Sequence, residues 1–436
     1  MLRLLSRKVD KITSRSGSTA RASNNIVERA QLRSDPTKPL FIEDHGTTSY
    51  GDFMNRAGQY ATAMREKSHV SVIDERALSD LTKTLQVTTD VEHVSDGDHA
   101  SICYTSGTTG KPNGAILTHG GLSANADQLV KAWGFQPNDR NLHALPFYHV
   151  HGMYISLHST LFSHSSLVWR PKFDVDDAIF HLPQATVMMG VPTFFSRMVS
   201  HPKFTKQSTK NMRLFVSGSA PLPVPIIERW KQITGSTIVE RYGMTEAQVI
   251  SSNPIDGITK PGTVGPAIDG VQLRIAPNGG IEIKSPSVFA GYWKNLEKTA
   301  SEFTEDGWFK TGDVGSLDED GYLSIGGRSK DMIITGGLNV YPKELEDIID
   351  DMDIVKECAV IGSPHPDFGE AVVVVAVPED SRTSPVDFEK SIITLMKRKV
   401  ANYKVPKKVI IVKELPRNHI TKIQKNVLRD TYKNLF

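Results

Sequence analysis

The stretch Thr105-Ser106-Gly107-Thr108-Thr109-Gly110-Lys111-Pro112-Asn113-Gly114 holds the chain's most suggestive chemistry. Its glycines let backbone N–H groups approach oxyanions closely. Its hydroxyls donate hydrogen bonds, and Lys111 adds a point charge. Together these make a phosphate cradle. It is not the Walker loop, which needs four residues between its glycines and Ser or Thr after the Lys. Here only Thr108 and Thr109 separate Gly107 from Gly110, and Pro112 follows Lys111. The plainer reading of any such loop is a polar surface turn. Two further groups have related chemistry. Glu246 suits Mg²⁺, which favours one or two carboxylates alongside phosphates. Asp313 can accept hydrogen bonds from both hydroxyls of a ribose, and Arg328 can donate to the same sugar. Taken alone, these three are more often an ion-pair acid, a turn Asp and a salt-bridged Arg.

The whole chain must position these residues, and its bulk properties set limits. At 436 residues it can bury a large core and form more than one domain. Lys+Arg 51 against Asp+Glu 49 gives no pull toward nucleic acid or a membrane surface. Cys103 and Cys358 lie far apart and make neither a metal nor a disulfide pattern. No run of 18 apolar residues is present, so no stable membrane insertion is expected. In residues 1–27, Arg3, Arg7, Lys8, Lys11, Arg15 and Arg21 face one acid, Asp10, and a Ser-rich tract follows. That composition predicts a mitochondrial transit peptide and a matrix location. A frayed basic terminus would leave the chain cytoplasmic.

Residues 28–329 are expected to form a large domain. Pro39–Ile42 and Thr47–Tyr50 read as a hairpin turning at His45-Gly46, and Tyr50–Lys67 as a helix. Strands are expected at Ala100–Cys103 (buried), Leu142–Leu145, Ala185–Met189, Leu214–Val216 and Thr237–Glu240, with helices between. Alternation of strand and helix predicts an α/β fold whose parallel sheet is covered on both faces. The loops at its strand C-terminal ends would then converge on one cleft. Residues 330–436 read as a small α+β domain. It has helices at Pro342–Asp351 and Pro385–Val400, and strands at Glu357–Gly362, Ala371–Val377 and Lys408–Val412. From Lys390 onward thirteen Lys or Arg meet only Glu414 and Asp430, which reads as a solvated basic face or a polyanion site.

The Thr105–Gly114 string, with Tyr242-Gly243-Met244-Thr245-Glu246 and Thr311-Gly312-Asp313 after it, resembles the signature of the adenylate-forming superfamily. The resemblance implies ATP-dependent activation of an acid and its transfer to CoA. It places Thr105, Ser106, Gly107, Thr108, Thr109, Gly110, Lys111, Pro112 and Asn113 on the phosphates. Ser217, Gly218, Ser219, Ala220, Pro221 and Tyr242 would hold adenine, Gly243 would belong to the same ATP site, and Asp313 and Arg328 would hold ribose. Glu246 would carry Mg·ATP, with Thr245 near the α-phosphate. Lys422, in Pro416-Arg417-Asn418-His419-Ile420-Thr421-Lys422, matches the family's catalytic lysine, though most members have Gly where Thr421 stands. In the family a small lid rotates about a hinge, here Lys330, and a loop matching Gly336, Gly337 and Leu338 enters beside the CoA thiol. His149 would gate between the acid and thiol sites.

From Asp98 onward the chain is similar in particular to malonyl-CoA synthetases, through Tyr148-His149-Val150-His151-Gly152, Pro261-Gly262-Thr263-Val264-Gly265-Pro266 and Asn339-Val340-Tyr341-Pro342-Lys343-Glu344. The implied reaction joins malonate and CoA through a malonyl-adenylate, with AMP and pyrophosphate released. Lys260, Ser252 and His149 are expected to face malonate, Lys260 standing next to the position where the family carries an arginine. Methylmalonate or another short or medium-chain acid is the alternative substrate. Relatives also continue, after the counterpart of Lys67, through about two βαβ units, roughly 60–80 residues, that this chain passes over. A shortened form with impaired catalysis or a regulatory role is therefore the alternative from another class.

Overall fold

The computed structural model describes residues 35–44, 46–55, 93–105, 113–380, 384–417 and 423–436. Strands β1 (Pro39–Glu43) and β2 (Gly46–Ser49) form the expected hairpin. The helix expected from Tyr50 is described as far as Asn55, and its remainder lies outside the described residues. Strands β3 (His99–Thr105) and β4 (Asn113–Thr118) pair antiparallel and flank the Gly-rich loop. Contrary to expectation β3 is not a buried strand. Ser101 is buried, whereas Tyr104 is 70% exposed. Helix α1 (His119–Ala132) follows, started by Thr118, whose side chain accepts the Gly121 N–H at 3.1 Å.

Short apolar runs then build the main sheet: β5 (Arg140–His143), β6 (Ser166–Trp169), β7 (Val187–Gly190), β8 (Leu214–Ser217), β9 (Val239–Met244) and β10 (Gln248–Ser252). Its order is β10-β9-β8-β7-β5-β6-β1-β2. Strands β1 and β5–β9 run parallel, and β2 and β10 are antiparallel edges. Alternate side chains enter opposite cores, as a sheet buried on both faces requires. Val187, Met189, Leu214 and Val216 pack with Leu122, Leu129 and Trp133 around α1. Met188 and Phe215 pack with Phe195 of helix α2 (Pro192–Val199) and Trp230 of helix α3 (Val224–Thr234). Strand β9 starts later than Thr237 and continues through Arg241, Tyr242 and Gly243, because these pair with β10. A motif expected as a loop is thus half strand, half tight turn.

Strands β11 (Gln272–Ile275), β12 (Gly280–Lys284), β14 (Phe309–Leu317) and β15 (Leu323–Arg328) form a four-stranded sheet, and β13 (Gly291–Tyr292) joins β4 and β3. The C-terminal α+β unit comes next. It contains the hairpin β16 (Ile333–Thr335) and β17 (Leu338–Val340), helix α4 (Pro342–Asp350), the long hairpin β18 (Val355–His365) and β19 (Gly369–Pro378), helix α5 (Pro385–Lys399), and β20 (Lys408–Ile411) parallel to β19. Leu345, Ile349, Val372, Val374, Phe388 and Ile392 fill its core. The basic run is not one solvated face. Lys404 pairs with Glu344, Lys408 with Glu389, Arg417 with Glu357, Lys425 with Glu346 and Arg429 with Asp331. Those carboxylates lie earlier in the chain, so the local charge count could not show them. Among the described residues no helix is long and apolar enough to cross a membrane.

Candidate active site

The β9–β10 hairpin carries the centre of the site. Gly243 is needed there, because a Cβ would stand 2.1 Å from the Gln248 carbonyl oxygen across the hairpin. Just before it, Tyr242 Oη donates to Asp313 Oδ2 at 2.5 Å. Arg328 Nε lies 2.7 Å from Asp313 Oδ1, since β14 and β15 pair Asp313 opposite Arg328. Burial first, then the Asp313 charge, pushes the Tyr242 phenol well up, so it stays a donor. Sequence reasoning picked these three residues, and the fold brings them together. Next to them, burial and then the Arg328 cation pull the Lys330 ammonium down.

Glu246 sits in the turn after β9, 6% exposed. Burial raises its pKa, and the Tyr292 hydroxyl, donating to Oε1 at 2.9 Å, works against that rise. No ion pair to Glu246 occurs among the described residues. A buried carboxylate that the Arg328 cation influences without an ion-pair contact, among the described residues, fits Mg²⁺, whose remaining ligands would be phosphate and water oxygens. Among the described residues no three His, Cys, Asp or Glu side chains cluster to hold a metal by themselves. Thr245 lies beside it, its carbonyl accepting from Gln248 Nε2 at 3.3 Å.

A second group gathers under the loop after β8. Ser219 is held at φ +71°, a conformation few non-glycine residues adopt, and its hydroxyl bonds His151 Nδ1 at 3.1 Å. His151 and Arg241 are buried, and Gly218 passes so close that a Cβ would stand 2.3 Å from Arg241 Nε. Among the described residues, Arg241 Nε and Nη2, His151 Nε2 and Ser217 Oγ have no hydrogen-bond partner. Burial lowers the Arg241 pKa to about 10 and pulls His151 well below the usual imidazole range, the Arg241 cation adding to the latter. His149 adjoins them. Its Nδ1 accepts the His151 N–H at 3.3 Å. Arg241 directly precedes the Tyr242–Glu246 motif and had no role in the sequence-based expectation. The available signal was an arginine in an interior strand.

Other expected residues are placed differently. Lys260, expected at the acid, donates from Nζ to Asp318 at 2.6 Å and Asp320 at 2.7 Å and lies 4.3 Å from the Tyr322 ring centre. The β14–β15 turn supplies those carboxylates, and the Lys260 charge is committed to them. The Ser252 hydroxyl accepts from Trp133 Nε1 at 3.0 Å and donates to the Asn253 carbonyl at 2.9 Å, so it is engaged inside the core. Thr105 Oγ1 donates to the Asn113 carbonyl at 3.3 Å, closing the base of the Gly-rich loop. Residues 106–112 and Lys422 lie outside the described residues. Gly336 and Gly337 form the β16–β17 turn at φ +57° and +77°, with Leu338 half exposed after them.

Glu240, on the other face of β9, accepts the Gly262 N–H at 3.2 Å and titrates at about 7, raised by burial. A carboxyl raised in the folded state costs stability as pH climbs from the unfolded value through the folded one. The loss is about 3 kcal/mol for a rise of this size. Glu240→Gln, whose amide oxygen still accepts from Gly262, is therefore expected to flatten the fall in stability between pH 5 and 8. Urea unfolding across that range checks it. Parallel wild-type and variant curves would contradict it.

Residues 66–293 match the AMP-binding enzyme family and residues 344–422 match its C-terminal domain. The first match alone covers more than half of the chain, which therefore belongs to the AMP-binding enzyme family, in the adenylate-forming fold. Among its relatives, a malonate–CoA ligase of Arabidopsis thaliana is 37% identical over 77% of this chain and 61% of its own length. A mitochondrial malonate–CoA ligase of Mus musculus is 36% identical over 76% of this chain and 64% of its own. The chain thus spans less than two thirds of the length of these curated relatives. The crystal structure of ATP-bound MatB from Rhodopseudomonas palustris superimposes with a TM-score of 0.90 at 37% identity, covering 95% of this chain and 100% of that one.

Proposed function

We propose that this chain is an AMP-forming acid:CoA ligase that joins malonate to CoA. Malonate would first attack the α-phosphorus of ATP, giving malonyl-adenylate and pyrophosphate. The CoA thiol would then displace AMP. The observation that carries the dicarboxylate is Arg241: a buried guanidinium with Nε and Nη2 unmet among the described residues, in a site whose neighbours Ser217, His151 and Ser219 are also polar. A buried cation of this kind is costly until an anion completes it. The second carboxylate of malonate has the charge and planar geometry for a guanidinium fork. Arg241 takes the place in this account that the sequence gave to Lys260.

The other roles follow the family. Thr105–Asn113 cradle the phosphates, with Glu246 holding Mg²⁺ and Thr245 near the α-phosphate. Tyr242 and Ser217–Pro221 border adenine, Gly243 belongs to the same ATP site, and Asp313 with Arg328 takes the ribose. The cation would supply charge neutralisation at the phosphates, and Lys422 would stabilise charge building on the α-phosphate. His149 stands where acid and thiol meet. Residues 330–436 act as a lid hinged at Lys330, with Gly336–Leu338 lining the thiol path against the domain of residues 28–329. The basic segment 1–27 and the mitochondrial relative support a matrix location.

Purified protein with ATP, CoA and a panel of acids is expected to give malonyl-CoA and AMP as the leading products by mass spectrometry. Preference for acetate or a longer monocarboxylate would remove malonate from the account. The direct passage from Lys67 to Ser68 favours a second reading, a shortened form with impaired catalysis. Folded protein that shows a thermal shift with Mg·ATP yet makes no acyl-CoA from any acid would support it.

A further inference from the structure

The segment Phe289–Trp293 had no role in the sequence analysis, yet it braces Glu246. The Phe289 N–H donates to the Glu246 carbonyl at 2.7 Å, and Tyr292 Oη donates to its carboxylate at 2.9 Å. Two more backbone bonds tie the segment to β4, the strand that leaves the Gly-rich loop. Ala290 N–H donates to the Ile116 carbonyl at 2.9 Å, and Trp293 N–H to the Gly114 carbonyl at 2.7 Å. Tyr292 itself lies opposite Ala115 in the β13–β4 pair, and its own N–H donates to Thr299 Oγ1 at 2.8 Å. The ring is edge-on to Phe289, with centres 4.8 Å apart. Backbone and ring are thus both fixed, and the hydroxyl ends on the one buried carboxylate in the turn. A residue that only filled space would be served equally by Phe.

We propose that Tyr292 is a positioning residue: its hydroxyl fixes the Glu246 carboxylate in the orientation that takes a divalent cation on the nucleotide phosphates. Its strand keys that orientation to the exit strand of the phosphate loop. The inference rests on Glu246 as a cation ligand, as proposed above. A hydrogen-bonded ligand oxygen is pre-oriented, and losing such an outer partner typically weakens metal binding tenfold or more.

The test is Tyr292→Phe, read by thermal unfolding at fixed ATP with Mg²⁺ titrated, and by Mn²⁺ binding followed by electron paramagnetic resonance. Expected is a half-saturating metal concentration about tenfold higher, with the full thermal shift recovered at high Mg²⁺. Tyr292→His, which retains a ring donor, is expected to recover part of the loss. In the Glu246→Gln background, Tyr292→Phe should add nothing. A lower melting temperature with an unchanged metal half-point, in either Tyr292 variant, would make the residue merely structural and overturn the proposal. An unchanged half-point in Glu246→Gln as well would instead sink the cation-ligand reading beneath it.

Discussion

Arg241→Met is expected to lower kcat/KM for malonate by about 10²–10³, while the folded protein keeps its stability or gains some. The drop corresponds to about 3–4 kcal/mol, the usual cost of stripping one partner from a buried charge pair. The stability result has the opposite sign because the guanidinium is buried with Nε and Nη2 unmet among the described residues. Replacing a buried, unsatisfied cation by an apolar side chain of similar length removes a desolvation cost. A residue that merely held the fold would lose both together. Turnover of acetate, which lacks the second carboxylate, should fall far less, so the malonate-to-acetate ratio reads the role directly. Lys260→Ala is the control: its ammonium already serves Asp318 and Asp320, and the ratio should not move. Steady-state kinetics on both acids, beside thermal unfolding, checks the pair. A Lys260 variant that shifts the ratio while Arg241→Met does not would return the acid site to the sequence-based position.

Gly243→Ala is expected to damage fold and function together. The added Cβ would stand 2.1 Å from the Gln248 carbonyl and 2.9 Å from Val249 Cα, both backbone atoms of the partner strand. The β9–β10 hairpin must then spread, at a cost of roughly 3 kcal/mol or more. A fall in melting temperature of roughly 3–4 °C follows for a chain of this size. Arg241 lies at one end of this hairpin and Glu246 at its turn, so ATP should also lose most of its protective thermal shift. A variant with native melting temperature and native ATP response would mean the hairpin is looser than its geometry implies.

Much of this architecture was legible in the sequence because short apolar runs such as Leu214–Val216 have only one comfortable place, between two helical layers. The Asp313–Arg328 pair was legible for a different reason: each lies in a short motif whose chemistry suits one sugar, whereas Tyr242 was expected at adenine and its bond to Asp313 was not foreseen. The partner of Lys260 was not, since Asp318 and Asp320 come from a turn some sixty residues later. The weight of Arg241 was hidden too. An arginine's importance depends on whether a carboxylate reaches it, and that is decided by Gly218 crossing over it rather than by its neighbours in the chain. Strand β3 was misjudged because composition cannot tell a buried strand from an edge one. Tyr292 carried no signal beyond being a tyrosine in a Gly-Tyr-Trp run; its hydroxyl acquires a purpose only when the turn after β9 folds against it.

The central claim is that one cleft joins an acid to AMP, and malonate-dependent exchange of labelled pyrophosphate into ATP tests it without needing CoA. Folded protein is expected to exchange label when malonate is added, to do so weakly with acetate, and to lose the malonate response in Arg241→Met. Exchange that is absent with every acid, from protein whose unfolding is cooperative and shifted by Mg·ATP, would contradict the account.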